Sequence, residues 1–363
     1  MAHTLSENRP VALWLFVCCA LVFSMVVLGG ATRLTGSGLS MVVWEPIMGI
    51  VPPLTQSEWM STFEMYKQFP EYQKKNLGMS LEEFKIIFWF EYSHRILGRL
   101  IGVAFLIPMV VFLLLRRVER PLVPRLVFMF VLGGLQGLLG WYMVKSGLVN
   151  NPHVSQYRLT AHLAAAIVIY AYMLWVALDL WFARTDQASP TIVHPRRRFA
   201  VFVTGFIFLT ILSGGFVAGL KAGFSYNTFP KMGETWIAPG IMVLEPAWRN
   251  LFENAATVQF DHRVLAITAL VVVIAFWVRA LPHADTARTR LGLHLLLLAV
   301  VVQVGLGITT LLLHVPIVLA SAHQAGAVVL LTAALFVTHA LYRAHAPATT
   351  PQTHITDPVR SNV

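Results

Sequence analysis

The chain has 363 residues, of which 57% are hydrophobic and only 12% charged, with a mean hydropathy of +0.68 and a formal net charge of +10. That balance excludes an ordinary soluble domain and indicates an all-α polytopic membrane protein. The excess of Lys and Arg lies between apolar runs and not on a polar surface, so it reads as a topology signal, and no nucleic-acid partner is expected.

Apolar runs long enough to cross a bilayer fall at about 11–31, 86–115, 123–144, 158–182, 199–220, 258–280, 291–313 and 316–342. Eight helical spans are predicted, because a helix satisfies its own backbone polar groups in lipid. The short alternating strands of a membrane barrel are absent from the sequence. Arg116, Arg117, Arg120 and Arg125 crowd the second connection, and Arg184, Arg196, Arg197 and Arg198 the fourth. Arg279, Arg288 and Arg290 lie in the sixth, and Arg343 follows the last span. With eight spans these loops and both termini share one side, which the positive-inside rule makes cytoplasmic. The first span begins about ten residues after Met1, which leaves no room for an Arg-rich transit peptide. A bacterial inner membrane is the expected location. Cys18 and Cys19, adjacent in the first span, suit core packing and offer no disulfide between loops.

The spans fall into two halves of four, 1–190 and 191–345, followed by a polar tail, 346–363, expected to be disordered. Gly29 and Gly30 end the first span as Gly214 and Gly215 end the fifth. Gln136 and Gly140 in the third span recur as Gln303 and Gly307 in the seventh. The first glycine pair is offset further from its copy than the glutamine is, because the first outer loop is longer than its counterpart. Two tandem, pseudo-symmetric four-helix bundles of parallel topology are therefore expected.

Four histidines follow the same register. His94 recurs as His262 and His162 as His323, at nearly the offset of the glutamines, on the second and fourth helices of each half. All four lie toward the outer ends of their spans. An ionisable ring in a bilayer is costly, and histidine is a common ligand of haem iron, so two facing pairs suit two haems. A lone polar residue bonded to a neighbouring carbonyl is the plainer reading of any one of them. The motifs around the first of each pair read FEYSHRILGRL and VQFDHRVLAI. Both set an Arg after the His, as Arg95 and Arg263, placed to bind a haem propionate or a lipid phosphate. Three residues before the His the copies differ, with Glu91 in one and Gln259 in the other. A carboxyl group can exchange protons and an amide cannot, so one half is expected to be reactive and the other to hold a redox centre. A salt bridge from Glu91 to Arg95 or Arg99 is the structural alternative.

The outer loops RLTGSGLSMVVWEPIMGIVPP and AGFSYNTFPKMGETWIAPG are rich in Gly, Pro and aromatics, as caps over the bundles would be. Residues 58–84 have amphipathic spacing suited to the membrane interface.

These motifs, together with GGATRLTGSGLSMVVWEP, MSLEEFKIIFWFEYSHRILGRLIG, NPHVSQYRLTAHL, FENAATVQFDHR and SAHQAGA, resemble the haem A synthase family, specifically its cysteine-poor bacterial and mitochondrial type. The likeness runs from about Gly29 to Leu341. It implies oxidation of the C8 methyl group of haem O to the formyl group of haem A, by two hydroxylations and loss of water, for haem-copper oxidases. It further implies a haem b cofactor on His262 and His323, substrate haem between His94 and His162, and Glu91 as the essential acid. Partners implied are the haem O-forming prenyltransferase and an electron donor. Bis-histidine bundles alone would also suit a di-haem b electron carrier, or a haem transporter working by alternating access between the halves.

Overall fold

The computed structural model describes residues 4–42, 50–148, 154–186 and 195–342. The polar tail, Arg343 and the WEP segment of the first outer loop lie outside these. Eleven α-helices form among the described residues: α1 Thr4–Leu34, α2 Gln56–Lys67, α3 Pro70–Lys74, α4 Leu81–Leu114, α5 Val123–Gly147, α6 Gln156–Asp186, α7 Arg197–Gly219, α8 Asn250–Glu253, α9 Ala255–Ala280, α10 Ala287–Leu312 and α11 Ile317–Tyr342. Eight of them, namely α1, α4, α5, α6, α7, α9, α10 and α11, are long and apolar enough to span a bilayer. These match the eight expected spans, and the chain is an all-α multi-pass membrane protein. No strand forms among the described residues beyond one isolated bridge, Met232 to Thr235.

In the front half α1 packs on α4 and α6, and α5 packs on α4 and α6. In the back half α7 packs on α9 and α11, and α10 packs on α9 and α11. The halves meet through α1 with α11, α6 with α7, and α6 with α11. α11 is the most enclosed of the eight spans, followed by α1 and α6. One continuous apolar core joins them, from Leu15 and Cys18 on α1 through Ile167 and Ala177 on α6 to Leu331 and Val337 on α11. Both cysteines are buried in it.

Local chemistry sets several of these contacts. Pro108 in α4 has no N–H to give the carbonyl four residues back, so Ala104 is left with an acceptor to satisfy. The Trp14 indole of α1 donates to it at 2.8 Å, which joins the two helices. Between the halves, Gly215 faces Thr160 and Gly219 faces Gln156, so closely that an added Cβ would lie 2.9 and 2.6 Å from them. The Gln324 amide of α11 donates to the Val26 carbonyl of α1 at 2.5 Å.

α4, at 34 residues, is the longest of the described helices. Ser80 caps it in a reciprocal box with Glu83, and Thr55 caps α2 with Glu58 in the same way. α2 turns its apolar face onto the first turns of α4: Trp59, Phe63 and Tyr66 are buried against Phe84, Ile87 and Phe88. The amphipathic spacing over 58–84 thus turns one face onto α4 as an aromatic cap over the front half.

Candidate haem-binding site

Three of the four histidines lie at a similar distance from a helix start. His162 is six residues from the first residue of α6, and His323 six from the first residue of α11. At 1.5 Å per residue both lie about 9 Å below the helix start. His262 is seven residues into α9, whose cap is Asn254, accepting from the Ala256 and Thr257 backbone N–H groups.

Each imidazole lies against a glycine of the neighbouring helix. An added Cβ on Gly29 would stand 3.1 Å from His94 Nε2, and on Gly140 3.0 Å from His162 Cε1. On Gly214 it would stand 3.2 Å from His262 Cε1, and on Gly307 2.8 Å from His323 Cε1. These are the glycines of the sequence repeat, and their shared function is now visible: without a side chain they let the ring sit on the helix backbone. The paired glutamines behave alike. Gln136 donates to the His162 carbonyl and Gln303 to the His323 carbonyl, both at 2.9 Å.

In the back half the rings of His262 and His323 face each other with centroids 6.5 Å apart and planes at 83°. A metal–imidazole nitrogen bond of about 2 Å, with the ring centre roughly 1 Å further out, puts two opposed imidazoles on one ion about 6 Å apart. The separation of His262 and His323 is thus of the size that two imidazoles sharing one iron would need. Among the described residues no three His, Cys, Asp or Glu side chains converge, and the candidate donors in each half are two histidines. That donor set suits an iron whose other positions belong to a macrocycle. In the front half His94 and His162 take the corresponding places, against Gly29 and Gly140.

The residues flanking the first histidine of each pair hold the outer loops. Glu91 is buried; its Oε2 accepts from Ser40 Oγ at 2.8 Å and from the Met41 N–H at 2.7 Å. Its Oε1 accepts from Arg95 Nη2 at 2.5 Å, and the same nitrogen lies 2.7 Å from the Met41 carbonyl. The salt bridge set out as the structural alternative for Glu91 is present. In the back half Gln259 donates to the Tyr226 carbonyl at 3.0 Å. Arg263 donates to the carbonyls of Tyr226, Thr228 and Lys231 at 2.7, 2.8 and 3.2 Å. Arg95 and Arg263 thus each tie down a loop residue, Met41 and Tyr226. These two are themselves in register, Met41 counted from Gly29 and Tyr226 from Gly214. Arg263 Nε is buried with no partner, a donor still available to an anionic group.

Sequence reasoning missed two contributors. Ser40 reaches Glu91 from a loop distant in the chain. Ser213 Oγ lies 2.7 Å from His262 Nδ1; the repeat hid it, since the register sets Leu28 in its place.

The family model for the COX15-CtaA cytochrome oxidase assembly protein matches residues 12–335, nearly the whole membrane domain. The chain belongs to this family. It is 57% identical over 338 residues to a protein of Nitrosospira multiformis named "Heme A synthase", covering 93% of this chain and 94% of that one. It is 51% identical over 338 residues to one of Paramagnetospirillum magneticum bearing the same name, covering 93% of this chain and 95% of the other. To human "Heme A synthase COX15" it is 46% identical over 346 residues, 93% of this chain and 84% of the human protein. For this family member, then, the repeated histidines and their glycine seats belong to a molecule of the cytochrome oxidase assembly class.

Proposed function

We propose that this protein is a haem A synthase, oxidising the C8 methyl group of haem O to the formyl group of haem A. Its similarity along nearly the full chain to proteins of that name supports the reaction. The observation that carries the site is the His262–His323 pair, 6.5 Å between centroids, repeated in register by His94 and His162. His262 and His323 would hold haem b; bound there, it supplies one-electron transfer. His94 and His162 would take the substrate haem. The equivalent helix pairings in 1–190 and 191–345 support reading these as pseudo-symmetric bundles, with substrate in the first and cofactor in the second.

The halves divide their tasks through Glu91 and Gln259. Glu91 is the acid of the reactive half; its ion pair with Arg95 and its bonds to Ser40 and Met41 hold the carboxylate beside the outer loop. From there it can accept a proton released as the methyl group is oxidised. Arg95 and Arg263, at the outer ends of the spans, would receive propionates. An apolar haem with an isoprenoid tail can enter from lipid, so the site needs no soluble domain. We place the protein in a bacterial inner membrane with both termini cytoplasmic, next to a haem O-forming prenyltransferase and served by an electron donor.

The test is to express the chain in a haem O-producing bacterium that lacks haem A, and to separate the extracted haems by chromatography and mass. Haem A or its hydroxylated precursor is the expected product. Haem b and unchanged haem O, in a folded and haem-loaded protein supplied with reductant and oxygen, would instead establish the di-haem electron carrier.

A further inference from the structure

We propose that Ser213 is the positioning residue that makes His262 a permanent haem ligand, and that Leu28, in the same place in the front half, leaves His94 free to bind and release. The inference rests on the reading that His262 and His323 hold the resident haem.

The hydrogen bonds around Ser213 fix a tautomer. Its Oγ lies 2.8 Å from the Thr210 carbonyl and 2.7 Å from His262 Nδ1. A serine hydroxyl has one proton, and the carbonyl can only accept it. Toward the imidazole the oxygen is then an acceptor, so the ring proton sits on Nδ1. The lone pair is left on Nε2, where an iron ligand needs it. An Nδ1–H bond also orients the ring and raises its basicity.

The other three histidines lack this arrangement. His162 Nδ1 and His323 Nδ1 are buried without a partner. Among the described residues no hydrogen bond reaches the His94 ring. The register that aligns Gly29 with Gly214 puts Leu28 where Ser213 stands, and leucine accepts nothing. The rings are posed differently as well. His262 presents Cε1 to Gly214, whereas His94 presents Nε2 to Gly29. The His94 ring thus meets its glycine through Nε2 with no hydroxyl to hold it, whereas the His262 ring is held by Ser213. A resident cofactor needs the set ligand, and a substrate that leaves as product needs the free one.

Potentiometric titration of the low-spin haem, and haem transfer from the detergent-solubilised full chain to apomyoglobin, read this directly. In Ser213→Ala the less basic imidazole should favour the ferrous over the ferric state by about tenfold, which for one electron raises the midpoint by about 59 mV. Haem loss should quicken roughly tenfold or more. Ser213→Thr, which keeps the acceptor, should match the parent protein, and Ser213→Cys, a weaker acceptor, should fall between. A parental potential and transfer rate in Ser213→Ala, or a threonine variant no better than alanine, would overturn the proposal. A parent protein without low-spin haem would overturn the ligand reading itself, and is told apart by failing before any substitution is made.

Discussion

Gly307→Ala puts one methyl group where the repeat forbids it. The new Cβ would stand 2.8 Å from His323 Cε1, with the ring nitrogens at 3.4 and 3.5 Å. Carbon atoms rest at about 3.5–4.0 Å, so ring and helix must part by roughly 0.7 Å or more. Alanine is the better helix former by about 1 kcal/mol, while forcing a methyl into a packed contact costs about 1–3 kcal/mol. The net change of roughly 0–2 kcal/mol leaves the bundle folded. A ligand displaced by more than about 0.5 Å, however, no longer meets its metal in the productive geometry. The low-spin haem signal, measured by optical and electron paramagnetic resonance spectra on purified protein, should weaken or convert to high-spin. Gly305→Ala is the internal control, because nothing lies within 4 Å of its added Cβ. An unchanged spectrum in Gly307→Ala, or equal damage from Gly305→Ala, would refute the view that this glycine exists to seat the histidine.

Glu91→Gln keeps one acceptor for Ser40 and Met41 but removes the charge opposite Arg95. Haem A formation should fall by at least about 100-fold while the haem spectrum persists; full turnover would take Glu91 out of the chemistry. Replacing His262 or His323 by Ala should abolish the low-spin haem b spectrum, and its survival would assign the iron to other ligands. In α3, outside the spanning helices, burial holds the Glu71 carboxyl up at about 7, against the pull of nearby Lys75. Because its folded value lies above its unfolded one, the stability it contributes is complete below about pH 4.5 and lost as pH rises through about 7. Glu71→Gln should therefore raise the melting temperature at pH 8, by up to roughly 3 kcal/mol in stability, and change little at about pH 4.5. An equal shift at both pH values would contradict this.

Much of the site was legible because a bilayer restricts what a sequence can do. Eight apolar runs became eight spanning helices, since no other structure among those residues could satisfy its backbone in lipid. The histidines were legible as a set because duplication repeats them, and an intramembrane imidazole has few uses. The glycine and glutamine repeats were visible as spacing, but their purpose was not. That Gly140 and Gly307 seat His162 and His323, and that Gln136 and Gln303 bond the same two residues, depends on which helices touch. Periodicity along one helix does not contain that information. Residues 58–84 show the same limit: an amphipathic face says that something covers it, and only the packed structure shows that Phe84 and Phe88 do.

Sequence alone determined the span count, the all-α class and the candidate ligands, because these follow from hydropathy and residue chemistry local to each segment. Tertiary structure decided the partners: Glu91 with Arg95, Ser40 and Met41, and Ser213 with His262. Hydrogen bonds are short and directional, so which groups meet is fixed only once helices and loops distant in the chain have packed together.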